Sequence, residues 1–318
     1  ITNNTMTTND TSAYVIQLSS SSHNTTISEN NLNTTGASNA NGIEVTGSTI
    51  GSIIDGNTLI TTGNTSTGIN LQSSSNQSTI INNNIDTLKA DGIGLNAVSN
   101  TTMERNVITT NGTSSNGINI NSQSNSNTVN NNTITTSLNT SYGIYLNTNS
   151  DLNSVTNNTI TTNSSNSEGI YINTNSDQNT VANNSITTNE TVSYGIRVDN
   201  SNANQILENT VVTFGSSSSG LYSGEGGANS TWNDNIVNTT GSNSDGVQMR
   251  ESSSSNNTFE RNIFTISQSR GIYLLNNTNN VVDNNTIIVS GSNNAVMLDQ
   301  DNSQQNIISN NTIINNGS

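Results

Sequence analysis

The sequence has 318 residues, of which 28% are hydrophobic and 8% charged, and its 6 basic and 21 acidic residues give a formal net charge of −15. Because so few basic residues cannot neutralise a run of phosphates, nucleic acid is not an expected partner. The chain has no cysteine, which excludes a disulfide framework and a thiolate metal site. No apolar run reaches the roughly 18 residues of a membrane-spanning segment, so no membrane span is expected.

Three short elements recur in a fixed order from the N-terminus onward. A strand such as "TMTT" follows Asn4, a second strand begins after a Ser/Asn-rich turn, and a third ends just before the next asparagine of the series. In most repeats a glycine precedes the second strand, at Gly42, Gly68, Gly92, Gly117, Gly143, Gly169, Gly195, Gly220, Gly246 and Gly271. The asparagine recurs at Asn30, Asn57, Asn83, Asn106, Asn132, Asn158, Asn184, Asn209, Asn235, Asn262, Asn285 and Asn311.

Segments such as "GIYLN" alternate apolar and polar residues with the period of a half-buried strand. Such strands cannot bury their apolar side chains within one repeat, so successive repeats must stack and pair in parallel. We therefore predict an all-β fold, a right-handed, single-stranded parallel β-helix (solenoid) with about twelve coils of 24–27 residues and three short strands per coil. One domain is expected over residues 1–318, and the start at Ile1 suggests a processed chain or an excerpt of a longer one.

Two columns of polar residues are predicted inside or beside the core. The recurring asparagines should form a ladder of amide hydrogen bonds, and asparagine also tolerates the left-handed backbone of a sharp turn. In ten consecutive coils, beginning with that of Asn4, the residue four positions after the asparagine is a threonine, which should point inward and stack its methyl and hydroxyl groups on those of the next coil. These threonines are Thr8, Thr34, Thr61, Thr87, Thr110, Thr136, Thr162, Thr188, Thr213 and Thr239.

At these motifs the sequence resembles the parallel β-helix repeat proteins of the NosD-like, carbohydrate-binding and sugar-hydrolase superfamily. Coils such as "GIYLNTNSDLNSVTNNTI" carry the resemblance, which covers essentially the whole chain. It implies an exported protein of a microbial cell surface. It does not imply one activity, because β-helices carry lyases, hydrolases, adhesins and inert spacers.

The candidate binding residues form a column one position after the first aliphatic residue of the glycine-led strand. Alternation places this column outward, as an exposed strip that could stack on sugar rings or on a partner. Cross-strand pairing within the sheet is the alternative explanation. The column contains Tyr145, Tyr171, Arg197, Tyr222, Gln248 and Tyr273.

No catalytic constellation stands out. The single histidine, His23, lies in a predicted turn and cannot support a triad. Glu208 and Asp234 occupy equivalent positions in adjacent coils, with Arg261 one coil later, and the three charges are explained as well by surface ion pairing as by glycosidase chemistry. Asp151 and Asp177 align in adjacent turns and could share a Ca²⁺ ion, although no Ca²⁺ motif is visible; otherwise no cofactor or metal is expected.

Many N-x-S/T sequons occur, at a frequency that the abundance of Asn, Ser and Thr explains by chance. The candidate N-glycosylation sites in the turns are Asn64, Asn111, Asn139, Asn163 and Asn189.

These observations predict a non-enzymatic, extracellular structural protein such as a filament, sheath or stalk element. Because both ends resemble interior coils, copies of the chain are expected to stack end to end. A glycan-binding adhesin that uses the tyrosine column and a polysaccharide lyase or hydrolase are the alternatives.

Overall fold

The computed structural model describes residues 1–251, 253–299 and 303–316. In these residues all regular secondary structure is β, and no helix is long and apolar enough to cross a membrane. The chain divides into two compact units, residues 1–159 and 160–318, and each is described by itself. The expectation of a single domain stays a prediction.

The first unit consists of short strands that succeed one another in groups of three. Strand β19 (Thr159–Thr162) begins at Thr159, the last residue of the first unit. The preceding strands are β1 (Thr5–Thr8), β2 (Ile16–Leu18), β3 (Thr26–Ser28), β4 (Asn31–Thr34), β5 (Ile43–Val45), β6 (Ile53–Asp55), β7 (Thr58–Thr61), β8 (Ile69–Gln72), β9 (Thr79–Ile81), β10 (Asn84–Thr87), β11 (Ile93–Asn96), β12 (Thr102–Glu104), β13 (Val107–Thr110), β14 (Ile118–Asn121), β15 (Thr128–Asn130), β16 (Thr133–Thr136), β17 (Ile144–Leu146) and β18 (Ser154–Thr156).

The second unit continues the same order. Its strands are β20 (Ile170–Ile172), β21 (Thr180–Ala182), β22 (Ser185–Thr188), β23 (Ile196–Asp199), β24 (Gln205–Leu207), β25 (Thr210–Thr213), β26 (Leu221–Gly224), β27 (Thr231–Asn233), β28 (Ile236–Thr239), β29 (Val247–Arg250), β30 (Thr258–Glu260), β31 (Ile263–Ile266), β32 (Ile272–Leu275), β33 (Val281–Asp283), β34 (Thr286–Val289), β35 (Val296–Asp299), β36 (Ile307–Ser309) and β37 (Thr312–Asn315).

In each unit every strand pairs in parallel with the strand three places further along, so three sheets run side by side. Equivalent residues align: Ile93 lies opposite Ile118 in the first unit, and Ile170 lies opposite Ile196 in the second. The predicted parallel β-helix, with three strands per coil, is confirmed. We call the sheet that contains β2, β5 and β8, and its equivalent from β20 onward, the glycine-led sheet.

The core is built from aliphatic residues that alternate with outward polar ones. Strands such as β13 bury their second and fourth residues and leave the other two at least partly exposed. In the second unit the rings of Trp232 and Phe259 stack at 5.6 Å between centroids, and both side chains are fully buried. Each large apolar side chain buried in this way contributes about 1.5–3 kcal/mol.

The asparagine ladder is confirmed within each unit. The ladder asparagines from Asn30 to Asn285 are buried, and each residue is only 0–2% exposed. Each amide donates to the carbonyl oxygen of the next rung, for example Asn106 Nδ2 to Asn132 Oδ1 at 2.9 Å and Asn209 Nδ2 to Asn235 Oδ1 at 3.0 Å. Successive rungs are separated by 23 to 27 residues, a wider range than the predicted 24 to 27.

The backbone role assigned to the ladder asparagines was wrong. The left-handed conformation falls on the residue just before each ladder position, with φ of 57° at Asn82 and 59° at Asp234. The ladder residue itself is therefore selected for its amide bonds, and the preceding residue makes the bend. This division of roles explains why many residue types, including Glu208 and Arg261, occupy the bend.

The inward-facing threonines are confirmed, but their hydroxyl groups do not form a hydrogen-bonded ladder from coil to coil. Thr110 Oγ1 donates to the backbone oxygen of Ser115 at 2.8 Å, within the same coil. A serine ladder in the following turn was not predicted: Ser115 N donates to Ser141 Oγ at 3.1 Å, and Ser193 N donates to Ser218 Oγ at 3.0 Å. The buried serines thus satisfy turn backbone that would otherwise lack partners.

The recurring glycine is required by close packing. A Cβ atom on Gly117 would lie 2.6 Å from the backbone oxygen of Gly143 and 2.2 Å from Ile134 Cγ2. Any side chain there would push the glycine-led sheet away from the next coil.

Candidate functional site

Charged and aromatic residues concentrate on the outer side of the glycine-led sheet in the second unit. They occupy the position before the glycine, the position after the first aliphatic residue, and the end of the strand. We define the aromatic–arginine face as Glu168, Tyr171, Tyr194, Arg197, Asp199, Tyr222, Asp245, Gln248, Arg250, Arg270 and Tyr273.

Arg197 lies at the centre of a first cluster on this face. Its Nε donates to Asp199 Oδ2 at 2.6 Å and its Nη1 donates to Glu168 Oε1 at 3.0 Å. The Tyr171 hydroxyl also donates to Asp199 Oδ2, at 3.0 Å. The guanidinium carbon is 4.7 Å from the centroid of the Tyr171 ring and 5.3 Å from that of Tyr222. These bonds fix the arginine and the rings against one another.

The cluster is buried, and burial changes its protonation. Burial raises the pKa of the Glu168 and Asp199 carboxyl groups, and the adjacent Arg197 guanidinium opposes that rise. Burial also raises the pKa of Tyr222 to about 12, so its hydroxyl is protonated at neutral pH. Glu168 Oε2 and Asp199 Oδ1 are buried and have no hydrogen-bond partner among the described residues. The hydrogen bonds to Arg197 and Tyr171 hold the side chains of this cluster in fixed positions.

Arg270 forms a second cluster of the same kind. It binds Asp245 through two hydrogen bonds of 2.9 Å, from Nε to Oδ1 and from Nη2 to Oδ2, and the Asp245 side chain is fully buried. Its guanidinium carbon lies 3.6 Å from the centroid of the Tyr273 ring, and the Tyr273 hydroxyl donates to Asp299 Oδ2 at 2.9 Å.

A cleft of about 270 Å³ opens between these clusters. It is lined by Tyr194, Ser217, Asn243, Gln248, Arg250, Arg270 and Tyr273. Arg250 is exposed, and within the described part of the chain it makes no hydrogen bond or ion pair. The cleft thus combines aromatic walls, amide and hydroxyl groups, one paired guanidinium and one unpaired guanidinium.

The predicted tyrosine column is present, but its predicted exposure was wrong. Tyr171, Tyr222 and Tyr273 are only 7–8% exposed, because neighbouring rings and arginines cover them. Tyr145 belongs to the first unit, where its ring lies 5.0 Å from that of Tyr142. That the column binds a glycan or partner stays a prediction.

Several members of the face were not singled out from the sequence. Glu168, Tyr194, Asp245 and Arg270 all immediately precede the recurring glycine, and Arg250 ends a glycine-led strand. The signal that could have found them is the position before the recurring glycine. It carries a charged or aromatic residue in these four coils and also at Asp91 and Tyr142, whereas the other coils have Asn41, Thr67, Asn116 and Ser219 there.

Of the two carboxylates considered for catalysis, Asp234 forms a surface ion pair with Arg261. Arg261 donates from Nε and Nη2 to the two carboxylate oxygens of Asp234, both at 2.8 Å, and these side chains are 44% and 38% exposed. Such an exposed pair contributes at most about 1 kcal/mol. Glu208 is exposed, and His23 lies in an exposed turn where its Nδ1 accepts the Ile50 N–H at 3.0 Å.

Neither the Ca²⁺ nor the glycan predictions are tested by the structure. Asp151 lies in the first unit and Asp177 in the second, where Asp177 Oδ1 accepts the Asn202 N–H at 2.6 Å. Among the described residues no group of three or more His, Cys, Asp or Glu side chains could hold a metal ion. The sequon asparagines lie at exposed or half-exposed turn positions, at Asn64, Asn111, Asn139, Asn163 and Asn189.

The chain belongs to the family described as "Right handed beta helix region", which matches residues 1–160, 62–212 and 211–318. No curated protein matches the sequence. Its fold is similar to that of the A-module of the Azotobacter vinelandii mannuronan C-5 epimerase AlgE6, with a TM-score of 0.61 and 13% identity over 94% of this chain and 90% of that one.

Two further solved structures share the fold. A double mutant of the periplasmic alginate epimerase AlgG has a TM-score of 0.51 and 12% identity, over 95% of this chain and 70% of that one. The Dettilon tailspike protein has a TM-score of 0.52 and 12% identity, over 97% of this chain and 62% of that one. At such identities the likeness shows the fold alone.

These similarities contradict the prediction that the chain is not an enzyme. That prediction assumed that a regular β-helix without a recognisable triad or carboxylate pair has no catalytic role, yet two of the similar structures are epimerases. The fold is one that enzymes use, and the exclusion does not stand.

Proposed function

We propose that the protein is an extracytoplasmic carbohydrate-binding β-helix whose ligand lies across the aromatic–arginine face and enters the cleft beside Arg250. The observation that carries this proposal is one of concentration: three of the 6 basic residues and four of the 7 tyrosines of the chain lie on this one face. The similarity to a periplasmic protein supports the location.

The chemistry of the cleft suits a sugar. Tyrosine offers a flat apolar face and a polar tip, and half-exposed Tyr194 presents such a ring at the cleft wall. Gln248 and Asn243 can donate to and accept from hydroxyl groups, and the Arg250 guanidinium can bind hydroxyl or carboxylate oxygens.

The buried clusters contribute rigidity to the same site. Since Arg197 and Arg270 are each held by buried carboxylates, the rings that pack on them need not be ordered when a ligand binds. A surface ordered before binding loses less conformational entropy on complex formation.

The test is binding to a panel of neutral and acidic polysaccharides, by affinity electrophoresis and titration calorimetry. Tyr194→Ala and Arg250→Ala should each weaken binding at least about tenfold, equivalent to ~1.4 kcal/mol. Arg105→Ala is the matched control, because Arg105 is an exposed arginine of the first unit, 49% exposed, and should leave the affinity unchanged.

Two outcomes would contradict the proposal: no polysaccharide binds, or binding survives both substitutions. Reducing and unsaturated chain ends, and the ratio of uronate epimers, can be followed in the same samples to detect conversion of the bound polymer. End-to-end stacking of copies into a filament or stalk stays a prediction, for which light scattering at increasing concentration is the measurement.

A further inference from the structure

A gap interrupts the outer side of the glycine-led sheet in the first unit. Gly94 on β11 lies opposite Asn70 on β8 and Asn119 on β14, so an outward column of side chains is missing one member. A cleft of about 190 Å³ results, lined also by Asp91, Asn96 and other residues. A Cβ atom on Gly94 would lie 3.0 Å from Asn70 Oδ1, so that oxygen is directed toward the gap.

The hydrogen bonds around the gap use the side-chain nitrogens of the asparagines and leave their side-chain oxygens as acceptors. Asn70 Nδ2 donates to Glu44 Oε2 at 2.9 Å, and Asn119 Nδ2 donates to Asp91 Oδ2 at 2.8 Å. The amide oxygens of both asparagines therefore remain available as acceptors, and buried Asn119 Oδ1 has no hydrogen-bond partner in the part of the chain that the structure describes. With the Asp91 carboxylate, the gap presents three acceptor groups, which a ligand that donates or carries positive charge would satisfy.

The charge balance indicates which kind of ligand is missing. Asp91 immediately precedes the recurring glycine, as do Glu168 and Asp245 in the second unit. Those two carboxylates bind Arg197 and Arg270, from 29 and 25 residues further along the chain.

At Asp91 the equivalent positions carry neutral asparagines, Asn116 and Asn119, and the bonds to the carboxylate come from the Asn116 N–H at 2.6 Å and the Asn119 amide. Among the described residues no lysine or arginine side chain forms an ion pair with Asp91. Glu44 behind it is likewise bound by amides alone, from Asn41, Asn70 and Gln72.

We infer that the Gly94 gap binds a Ca²⁺ ion, which takes the place that an arginine guanidinium occupies in the equivalent clusters of the second unit. The ligands are the Asp91 carboxylate and the side-chain oxygens of Asn70 and Asn119. Ca²⁺ accepts carboxylate and amide oxygens in flexible geometry and completes six to eight ligands with water, whereas Mg²⁺ requires a near-ideal octahedron. With one carboxylate in direct contact, a dissociation constant on the order of 10⁻⁴–10⁻³ M is expected, as in other extracellular modules. This site is separate from the proposed glycan cleft.

The test is titration calorimetry of the whole chain with CaCl2 after treatment with EDTA. One site per chain is expected, with Mg²⁺ binding at least tenfold more weakly. Asp91→Asn and Gly94→Asn should each weaken Ca²⁺ binding at least tenfold, the second by filling the gap with the side chain that both neighbours carry. Asp86→Asn is the matched control, since Asp86 is an exposed carboxylate of the first unit that accepts a hydrogen bond from the Asn111 amide at 3.2 Å, and it should leave the titration unchanged.

The inference is overturned if no saturable site appears up to 10-fold above the expected range, if Mg²⁺ binds equally well, or if Asp86→Asn abolishes binding while Asp91→Asn retains it. Circular dichroism identifies a variant that has failed to fold. In that case Gly94→Ser, which fills the same gap with a smaller side chain, replaces it in the comparison.

Discussion

Asn132 offers the sharpest test of the asparagine ladder, because its side chain makes five hydrogen bonds at 1% exposure. Its Oδ1 accepts the backbone N–H and the amide of Asn106, both at 2.9 Å. Its Nδ2 donates to Met103 O at 2.9 Å, Asn130 O at 3.1 Å and Asn158 Oδ1 at 3.0 Å. Asn132→Ala deletes all five and leaves the buried Asn106 N–H without an acceptor. At about 0.5–1.5 kcal/mol for each of the five bonds, with the orphaned donor at about 1–3 kcal/mol, the expected loss of unfolding free energy is about 3.5–10.5 kcal/mol.

The assay is equilibrium unfolding in guanidinium chloride, followed by circular dichroism. Asn4→Ala is the matched control, because Asn4 occupies the ladder at an exposed position and donates to only one neighbouring side chain and one backbone oxygen. Its expected cost is below about 1 kcal/mol. If Asn132→Ala costs no more than Asn4→Ala, the ladder is a consequence of the fold and not a source of its stability.

Three further perturbations test other contacts. Phe259→Ala opens a cavity beside Trp232 and should cost about 3–5 kcal/mol in chemical unfolding, with a changed fluorescence maximum from the single tryptophan; an unchanged maximum would contradict the stacking. Asp245→Asn leaves the Arg270 guanidinium, 22% exposed, without its carboxylate and should lower the unfolding free energy by about 3 kcal/mol; a loss within error of zero would show that water replaces the carboxylate. Hydrogen bonds from the Ser309 hydroxyl and the Asn310 amide lower the pKa of half-buried Asp283. Its stabilising contribution is therefore present above its ordinary pKa of 3.8 and is lost as pH falls through the lowered value; titration by NMR should give a midpoint below 3.8.

The coil architecture could be predicted from the sequence because its causes are local and repeated. A period near twenty-six residues, alternation within each strand and a recurring asparagine determine which residues stack, and the register of Ile93 on Ile118 follows directly. The left-handed residue was predicted at the ladder position, one residue too late. The sequence around Asn83 is compatible with a left-handed conformation at Asn82 or at Asn83, and the structure has it at Asn82.

The candidate site was less accessible to sequence reasoning. Alternation correctly predicts that Tyr171 points away from the core, but it says nothing about what covers the ring. The covering residue, Arg197, was identified in the column, whereas Glu168 and Asp199 belong to columns that vary in type from coil to coil. The Gly94 gap could not be predicted because an absent side chain leaves no motif in the sequence. The gap is recognised only from its neighbours Asn70 and Asn119, which are 24 and 25 residues away in the chain.

The serine and asparagine rungs have a consequence for how such a chain can change over generations. Every rung bonds to an identical rung in the adjoining coil, as Ser193 does to Ser218, so the partners of a coil are interchangeable. Duplication or deletion of one complete coil in the gene would therefore give each surviving residue a neighbour of the type it had before. Length can then vary in whole-coil steps at little cost in stability, while a gain or loss of two or three residues within a strand would shift every column at once.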